Sequence, residues 1–442
     1  MGRLRWLTAG ESHGRSLGVT VEGVPAGLKL DAAALGPDLA RRQRGYGRGA
    51  RQAIEHDAAD ILSGVRHGVT LGSPILLLVA NRDWENWTRV MQVDGLSDEE
   101  AAELAAAAAE GNKRATPVTR VRPGHADLAG ALKYGFNDVR NVLERASARE
   151  TAARVAAGGV ARLILRELGV EVWSFTAEVG GVAVDPARAS RSRDEADASP
   201  LRCPDPEAEA AMIARIDEAR SNGDTVGGVF EVVAHGLPIG LGSYVQWDRR
   251  LDAALAAAVM SINIVKGVEF GLGFEQTRRF GSAVHDVIAG RGEGGRWIHR
   301  SNNAGGLTGG ITNGEPLVVR GAVKPISTLA RPLPTADLVS GEAVEKAHYE
   351  RSDISVVPAA GVVAEAMVML TLADAMLDKF GGDTIADTRA ALDAYVGRIS
   401  RPVEAPVAGG RRADPAAVAE GPGGVPNGDA AGPGDFGSGG DD

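Results

Sequence analysis

Leu17, Val19 and Val21 alternate with Gly18, Thr20 and Glu22, a period of two that predicts a strand over 17–22. The turn Val24-Pro25-Ala26-Gly27 follows it. Pro74 to Ala80 is an apolar run of strand length, and Thr225–Ala234 and Pro316–Val323 also read as strands. Elsewhere the period lengthens. Ser97-Asp98-Glu99-Glu100 is a capping box that opens an Ala-rich helix ending before Gly111. A further helix is expected from Asp127, carrying Leu128, Leu132 and Tyr134. Ser147-Ala148-Arg149-Glu150 is a second capping box. Behind it Ala152, Val155, Ala156, Gly159, Val160, Leu163, Ile164 and Leu168 recur at helical spacing until Gly169. Gly158 and Gly159 cost that helix stability, so their place in its middle predicts a tight crossing with another helix. Leu251 to Lys266 reads as a helix with Leu255, Val259, Ile262 and Val265 in register, and Ala359 to Phe380 as a long one closed by Gly381-Gly382.

No internal repeat and no linker interrupts the first 400 or so residues, which predicts a single α+β domain over 1–403. From Glu404 onward Pro, Gly, Ala and Asp dominate, so 404–442 is expected to be a disordered tail. Apolar residues make up 44% of the chain but aromatics only 4%, so the core must rest on Ala, Val and Leu. The formal net charge of −10 argues against general nucleic-acid binding. A lone cysteine, Cys203, excludes an internal disulfide and a cysteine-rich zinc site. Met1 to Trp6 has no apolar signal region, and no apolar run reaches the roughly 18 residues of a membrane span. These features predict a soluble cytoplasmic protein without membrane contact.

Two histidines stand out chemically. His13 lies in Gly10-Glu11-Ser12-His13-Gly14 and His125 in Arg122-Pro123-Gly124-His125-Ala126-Asp127. Small neighbours let a ligand or backbone come close, and imidazole both gives and takes a proton near neutral pH. Arg41, Arg42, Arg44, Arg48 and Arg51 are broken by Gly45, Gly47 and Gly49, while Arg145 and Arg149 flank Ser147 at a predicted helix start and Arg351 stands near Asp353. Arginine forks suit phosphate and carboxylate, and a helix N-terminus favours an anion. The alternative is a solvated basic face, which the interspersed glycines disfavour. Together these residues point to proton transfer on an anionic substrate. Gly45-x-Gly47-x-x-Ala50 and Gly290-x-Gly292-x-x-Gly295 formally match a dinucleotide fingerprint, but the first follows arginines rather than a strand and the second opens no helix. The other histidines show no metal-ligand spacing, so no metal is expected.

The chain closely resembles the chorismate synthase family from about Leu4 to Asp383. The resemblance rests on blocks in a fixed order: Thr8 to Gly14; Arg41-Arg42-Gln43 with Gly45 to Gly49; Ser63 to Gly68; Arg122 to Asp127; Glu144 to Thr151; Gly309 to Gly314; Lys324 to Thr328; and Arg351-Ser352-Asp353. It implies a sandwich of antiparallel sheets around long core helices, usually a homotetramer. It implies conversion of 5-enolpyruvylshikimate 3-phosphate to chorismate and phosphate, the last step of the shikimate pathway. That reaction is a 1,4-anti elimination of the C6 proton and C3 phosphate that needs reduced FMN without net redox change.

Residue roles follow from the same resemblance. His13 matches the group that protonates the leaving phosphate, with Ser12 supporting it. His125 matches the one that protonates or steadies the reduced flavin near its N1–C2=O edge. Asp353 matches the carboxylate that assists proton removal through flavin N5. Arg42, Arg48, Arg149 and Arg351 match anion contacts, with a nicotinamide nucleotide's phosphate as the alternative anion for Arg42 or Arg48. Arg145, Ala146, Ser147, Gly309, Lys324, Pro325, Ile326, Ser327, Thr328 and Arg351 match flavin-contacting positions. Asn263-Ile264 falls at another, where the family often has Ala second. The source of reduced flavin is left open between NADPH as an indirect reductant and a separate flavin reductase. A flavin oxidoreductase with net electron transfer, or a non-catalytic phosphoanion-binding protein, would share parts of this pattern. The latter has no use for His13, His125 and Asp353 together.

Overall fold

The computed structural model describes residues 3–49, 56–186, 192–349 and 353–403. Arg51, Arg351 and the expected tail at 404–442 lie outside them. Met1–Ser400 form one compact unit.

Two antiparallel sheets enclose a layer of helices. The first sheet has four strands in the order Arg5–Ala9, Ser16–Glu22, Ile75–Ala80, Ala59–Ile61. Leu17, Val19 and Val21 point inward with Ile75, Leu77 and Val79, all buried, as the alternation predicts. The second sheet orders Val265–Phe270, Leu317–Val323, Gly228–His235, Glu171–Val179 and Val182–Ala183. Helix Thr151–Glu167 packs on the first sheet and helix Val357–Phe380 on the second, while the two helices pack on each other. Ala32–Gln43 and Leu251–Met260 complete the layer. This is the expected α+β sandwich.

The two central helices meet at the glycines. A Cβ added at Gly158 would lie 2.6 Å from Ala366 Cα, and one at Gly159 would lie 2.8 Å from Leu35 Cδ2 of helix Ala32–Gln43. The predicted tight crossing is therefore a double one. Inside the layer Glu365 is buried. It is held by Arg41 through two hydrogen bonds of 2.8 and 2.7 Å, by Ser174 at 2.6 Å and by Arg202 at 3.1 Å. Helix Val357–Phe380 is long and apolar enough by mean hydropathy to cross a membrane, although Glu365 interrupts its apolar run, and most of it is buried as the protein's own core helix.

Three local expectations need correction. The helix expected to reach Lys266 ends at Met260, and Val265–Phe270 is a strand paired with Leu317–Val323. Ile262 and Val265 keep helical spacing yet are buried by a turn and a strand, so period alone could not find the break. Ser147 does cap, but through a short turn: its hydroxyl accepts from Arg149 N, Ala148–Glu150 is 3-10, and the helix starts at Thr151. Glu150 does not close a capping box, because it accepts from Thr8 Oγ1 at 2.7 Å and Arg154 Nε at 2.9 Å. Helix Asp127–Tyr134 forms as expected, but Leu128, Leu132 and Tyr134 are exposed, and Asp127 and Ala131 are its buried residues.

Candidate active site

His13 sits in the loop between the first two strands. Gly10, at φ +101°, turns that loop where a Cβ would press on Leu17 Cα at 3.0 Å. Asn81 Nδ2 donates to Ser12 O and Gly14 O, and Ser12 N donates to Glu144 O, so the loop is pinned on two sides. The His13 Nδ1 lies 2.9 Å from Glu144 Oε1, and its ring stacks on Trp87 at 4.0 Å between centroids. Ser147 Oγ donates to Ser12 Oγ at 3.2 Å.

His125 is placed by the turn before helix Asp127–Tyr134. Its Nδ1 lies 2.5 Å from Asp127 Oδ1. Arg122 grips the same carboxylate through its backbone N, Nε and Nη2 at 3.0, 2.8 and 3.0 Å. Burial alone would raise the Asp127 carboxyl's pKa, but hydrogen bonds from His125 and Arg122, with the Arg122 charge, hold it well below the usual carboxylate range.

Three arginines gather between these histidines. Arg42 donates to Thr151 Oγ1, Ala148 O and Asp57 Oδ2, and Arg149 donates to Asp57 Oδ1 at 2.5 Å. Asp57 therefore clamps both guanidinium groups from behind. Arg48 pairs with Asp353 Oδ2 at 3.2 Å while Asp353 Oδ1 accepts from Gly49 N at 2.6 Å. Burial pulls the Arg48 pKa down and Asp353 pulls it back up; an arginine stays protonated regardless.

These groups line one cleft of about 590 Å³. Of the expected residues it gathers Ser12, His13, Arg42, Arg48, His125, Ala146, Ser147, Arg149, Asn263, Ile264, Lys324, Ile326, Ser327, Thr328 and Asp353. Among the described residues its wall carries five cationic side chains, those of Arg42, Arg48, Arg122, Arg149 and Lys324, and one carboxylate, Asp353. Ile262, Ile264, Val356, Ala359, Ala360 and Val363 supply its apolar surface. Lys324 donates to Gly124 O; desolvation and then the Lys266 charge lower its pKa. Asn263 Nδ2 donates to Ala146 O at 2.9 Å, tying the two stretches together.

Three expected residues stand elsewhere. Arg145 turns away to Gly10 O and to Thr8 O and Oγ1. Gly309 lies in the turn joining Leu307–Thr308 to Ile311–Thr312, and Pro325 is not among the lining residues. Asp57, Arg122, Glu144 and Trp87 were not singled out as functional from sequence, although Arg122 and Glu144 lie inside motif blocks. Among the described residues no three His, Cys, Asp or Glu side chains group as metal ligands.

The chorismate synthase family model matches residues 4–377. A chorismate synthase of Acidothermus cellulolyticus is 54% identical over 396 residues, covering 89% of this chain and 98% of that protein. One from Streptomyces coelicolor is 53% identical over 403 residues, covering 90% and 98%. A crystal structure of chorismate synthase superimposes with a TM-score of 0.69 at 42% identity, covering 90% of this chain and 98% of that one.

Proposed function

The chain belongs to the chorismate synthase family, and from that premise we propose that its cleft converts 5-enolpyruvylshikimate 3-phosphate to chorismate and phosphate with reduced FMN. Membership makes it an enzyme of lyase type in aromatic amino-acid biosynthesis, acting on a small molecule. The observation that carries the finer reading is the guanidinium-rich wall of the cleft: among the described lining residues Arg42, Arg48, Arg122, Arg149 and Lys324 stand with the Asp353 carboxylate, while Asp57 and Asp127 hold Arg42, Arg149 and Arg122 from outside the wall. The substrate brings one phosphate and two carboxylates, and guanidinium forks match both groups.

The cleft also suits the cofactor. Its apolar wall offers surface to a flat ring, and Arg48 Nε is a buried donor with no hydrogen-bond partner among the described residues, as an absent anionic ligand would leave it. Asn263, Ile264, Lys324, Ile326, Ser327 and Thr328 would hold reduced FMN, with His125 beside them. When bound, reduced FMN supplies an electron-rich ring and is not consumed.

The chain's own groups divide the remaining work. The cations bind and orient the anions, which preorganises the elimination. Glu144 occupies the Nδ1 side of His13, so Nε2 is the nitrogen that delivers a proton to the departing phosphate. Asp127 and Arg122 fix the His125 ring. Asp353 is the carboxylate positioned to accept a proton, once substrate anions compete for Arg48. The homotetramer follows from the family resemblance alone, and exposed Tyr244, Trp247, Phe274 and Phe280 are candidate contacts for other copies. The reading is tested with purified chain, 5-enolpyruvylshikimate 3-phosphate and FMN under nitrogen. Chorismate should form with photoreduced FMN and not with oxidised FMN. Equal rates with both, or no chorismate with either, would overturn it.

A further inference from the structure

We infer that Glu144 is a positioning residue for His13, fixing which ring nitrogen handles the proton; this rests on reading His13 as the acid for the leaving phosphate. Glu144 grips His13 at two points. Its Oε1 and Oε2 lie 2.9 and 3.1 Å from Nδ1, and Oε2 accepts the His13 backbone N–H at 2.8 Å. The carboxylate is almost fully buried, with its side chain 2% exposed. Around it closes a ring of contacts. Arg140 Nη1 stands 3.7 Å from Glu144 Oε1, the Arg140 guanidinium lies 5.3 Å from the centroid of Trp87, and Trp87 stacks on His13 at an interplanar angle of 20°. Trp87 Nε1 donates to Asp83, which fixes the indole in turn.

This arrangement has a chemical consequence. An ionised carboxylate only accepts, so the Nδ1 facing it carries a hydrogen in both protonation states of the ring. The proton gained and lost then resides on Nε2. Stacking on Trp87 holds the plane of the ring, the hydrogen bond to Glu144 selects the edge that faces the carboxylate, and that buried carboxylate is the counter-charge of an imidazolium. The same logic holds where a carboxylate orients a catalytic histidine in other folds. Glu144 is separated from His13 by 131 positions in sequence, so the pairing is a product of the fold.

Glu144→Gln separates this role from a structural one. The amide keeps the size and an oxygen for the His13 backbone N–H, but presents its NH2 to Nδ1 and turns that nitrogen into an acceptor. The ring is then held neutral. Replacing the carboxylate that fixes a catalytic histidine's tautomer by an amide costs up to about 10⁴-fold, and we expect kcat to fall by at least about tenfold with KM and FMN affinity little changed. Nitrogen NMR of histidine-labelled protein, with His13 assigned by difference from His13→Ala, should show protonated Nδ1 in the wild type and bare Nδ1 in Glu144→Gln. Wild-type kcat in Glu144→Gln overturns the inference, as does bare Nδ1 in the wild-type spectrum, which needs no folded variant. His13→Ala keeps the two levels apart. If it is inactive while Glu144→Gln is fully active, only the inference fails; if it keeps wild-type kcat, the reading of His13 itself has failed.

Discussion

Gly158→Ala tests the packing that sets the spacing of the helix layer, and so of one cleft wall. The new methyl would sit 2.6 Å from Ala366 Cα and 3.3 Å from Ala366 C, both backbone atoms of the core helix. No side chain can swing aside, so the two helices must separate by most of an ångström in the middle of their contact. Overpacking of this kind costs up to about 3 kcal/mol, while replacing a helical glycine by alanine returns about 1 kcal/mol. The net expectation is a loss of about 2 kcal/mol. Gly397→Ala is the matched control: that glycine lies in helix Ile385–Ile399 with nothing within 4 Å of its added Cβ. It should gain up to about 1 kcal/mol. Urea titrations followed by circular dichroism read both as shifts of the midpoint at constant slope. The same separation would disturb Thr151, Ala359, Ala360 and Val363, which these helices bring to the cleft. Gly158→Ala as stable as the wild type would refute the close-crossing argument.

His13→Ala and His125→Ala should each lower kcat by roughly 10²–10⁴-fold; loss of His13 should slow phosphate departure with flavin binding intact, whereas loss of His125 should alter the reduced-flavin spectrum. Arg48→Lys should weaken substrate or FMN binding about tenfold or more, since a lost charge-assisted hydrogen bond costs roughly 1.5–3 kcal/mol, and unchanged KM and flavin affinity would return Arg48 to a structural role. The low pKa of Asp127 has a pH signature. A carboxyl depressed in the folded state adds stability above its unfolded value of about 3.9 and loses it as pH falls towards the folded value. The stability gap between wild type and Asp127→Asn should therefore be full near neutrality and shrink below about pH 4; a gap constant with pH would contradict the clamp.

Local chemistry was readable where a short segment dictates its own conformation. Alternation placed Leu17, Val19 and Val21, the two helix-breaking glycines announced the crossing, and Ser97 and Glu100 form the expected capping box. The histidines and Arg42, Arg48 and Arg149 were visible as residue types in permissive loops. Their partners were not. Asp57 meets Arg149 across 92 positions, and Trp87 reaches His13 from a separate short turn after strand Ile75–Ala80. Arg145 shows the converse failure. It belongs to a motif with Ser147, yet at the end of helix Arg140–Ala146 its side chain leaves in the opposite sense, to the backbone of Thr8 and Gly10. Spacing gives the positions of side chains along a segment, and the direction of each depends on what the fold packs beside it.

The most direct measurement counts turnovers per flavin. Purified chain with a limiting, known amount of photoreduced FMN and excess 5-enolpyruvylshikimate 3-phosphate is followed under strict anaerobiosis for chorismate, phosphate and flavin absorbance together. Many chorismates per FMN, phosphate equal to chorismate, and flavin still reduced at the end are the expected outcome. One product per flavin, with the flavin oxidised in step, would contradict it and make the protein an oxidoreductase.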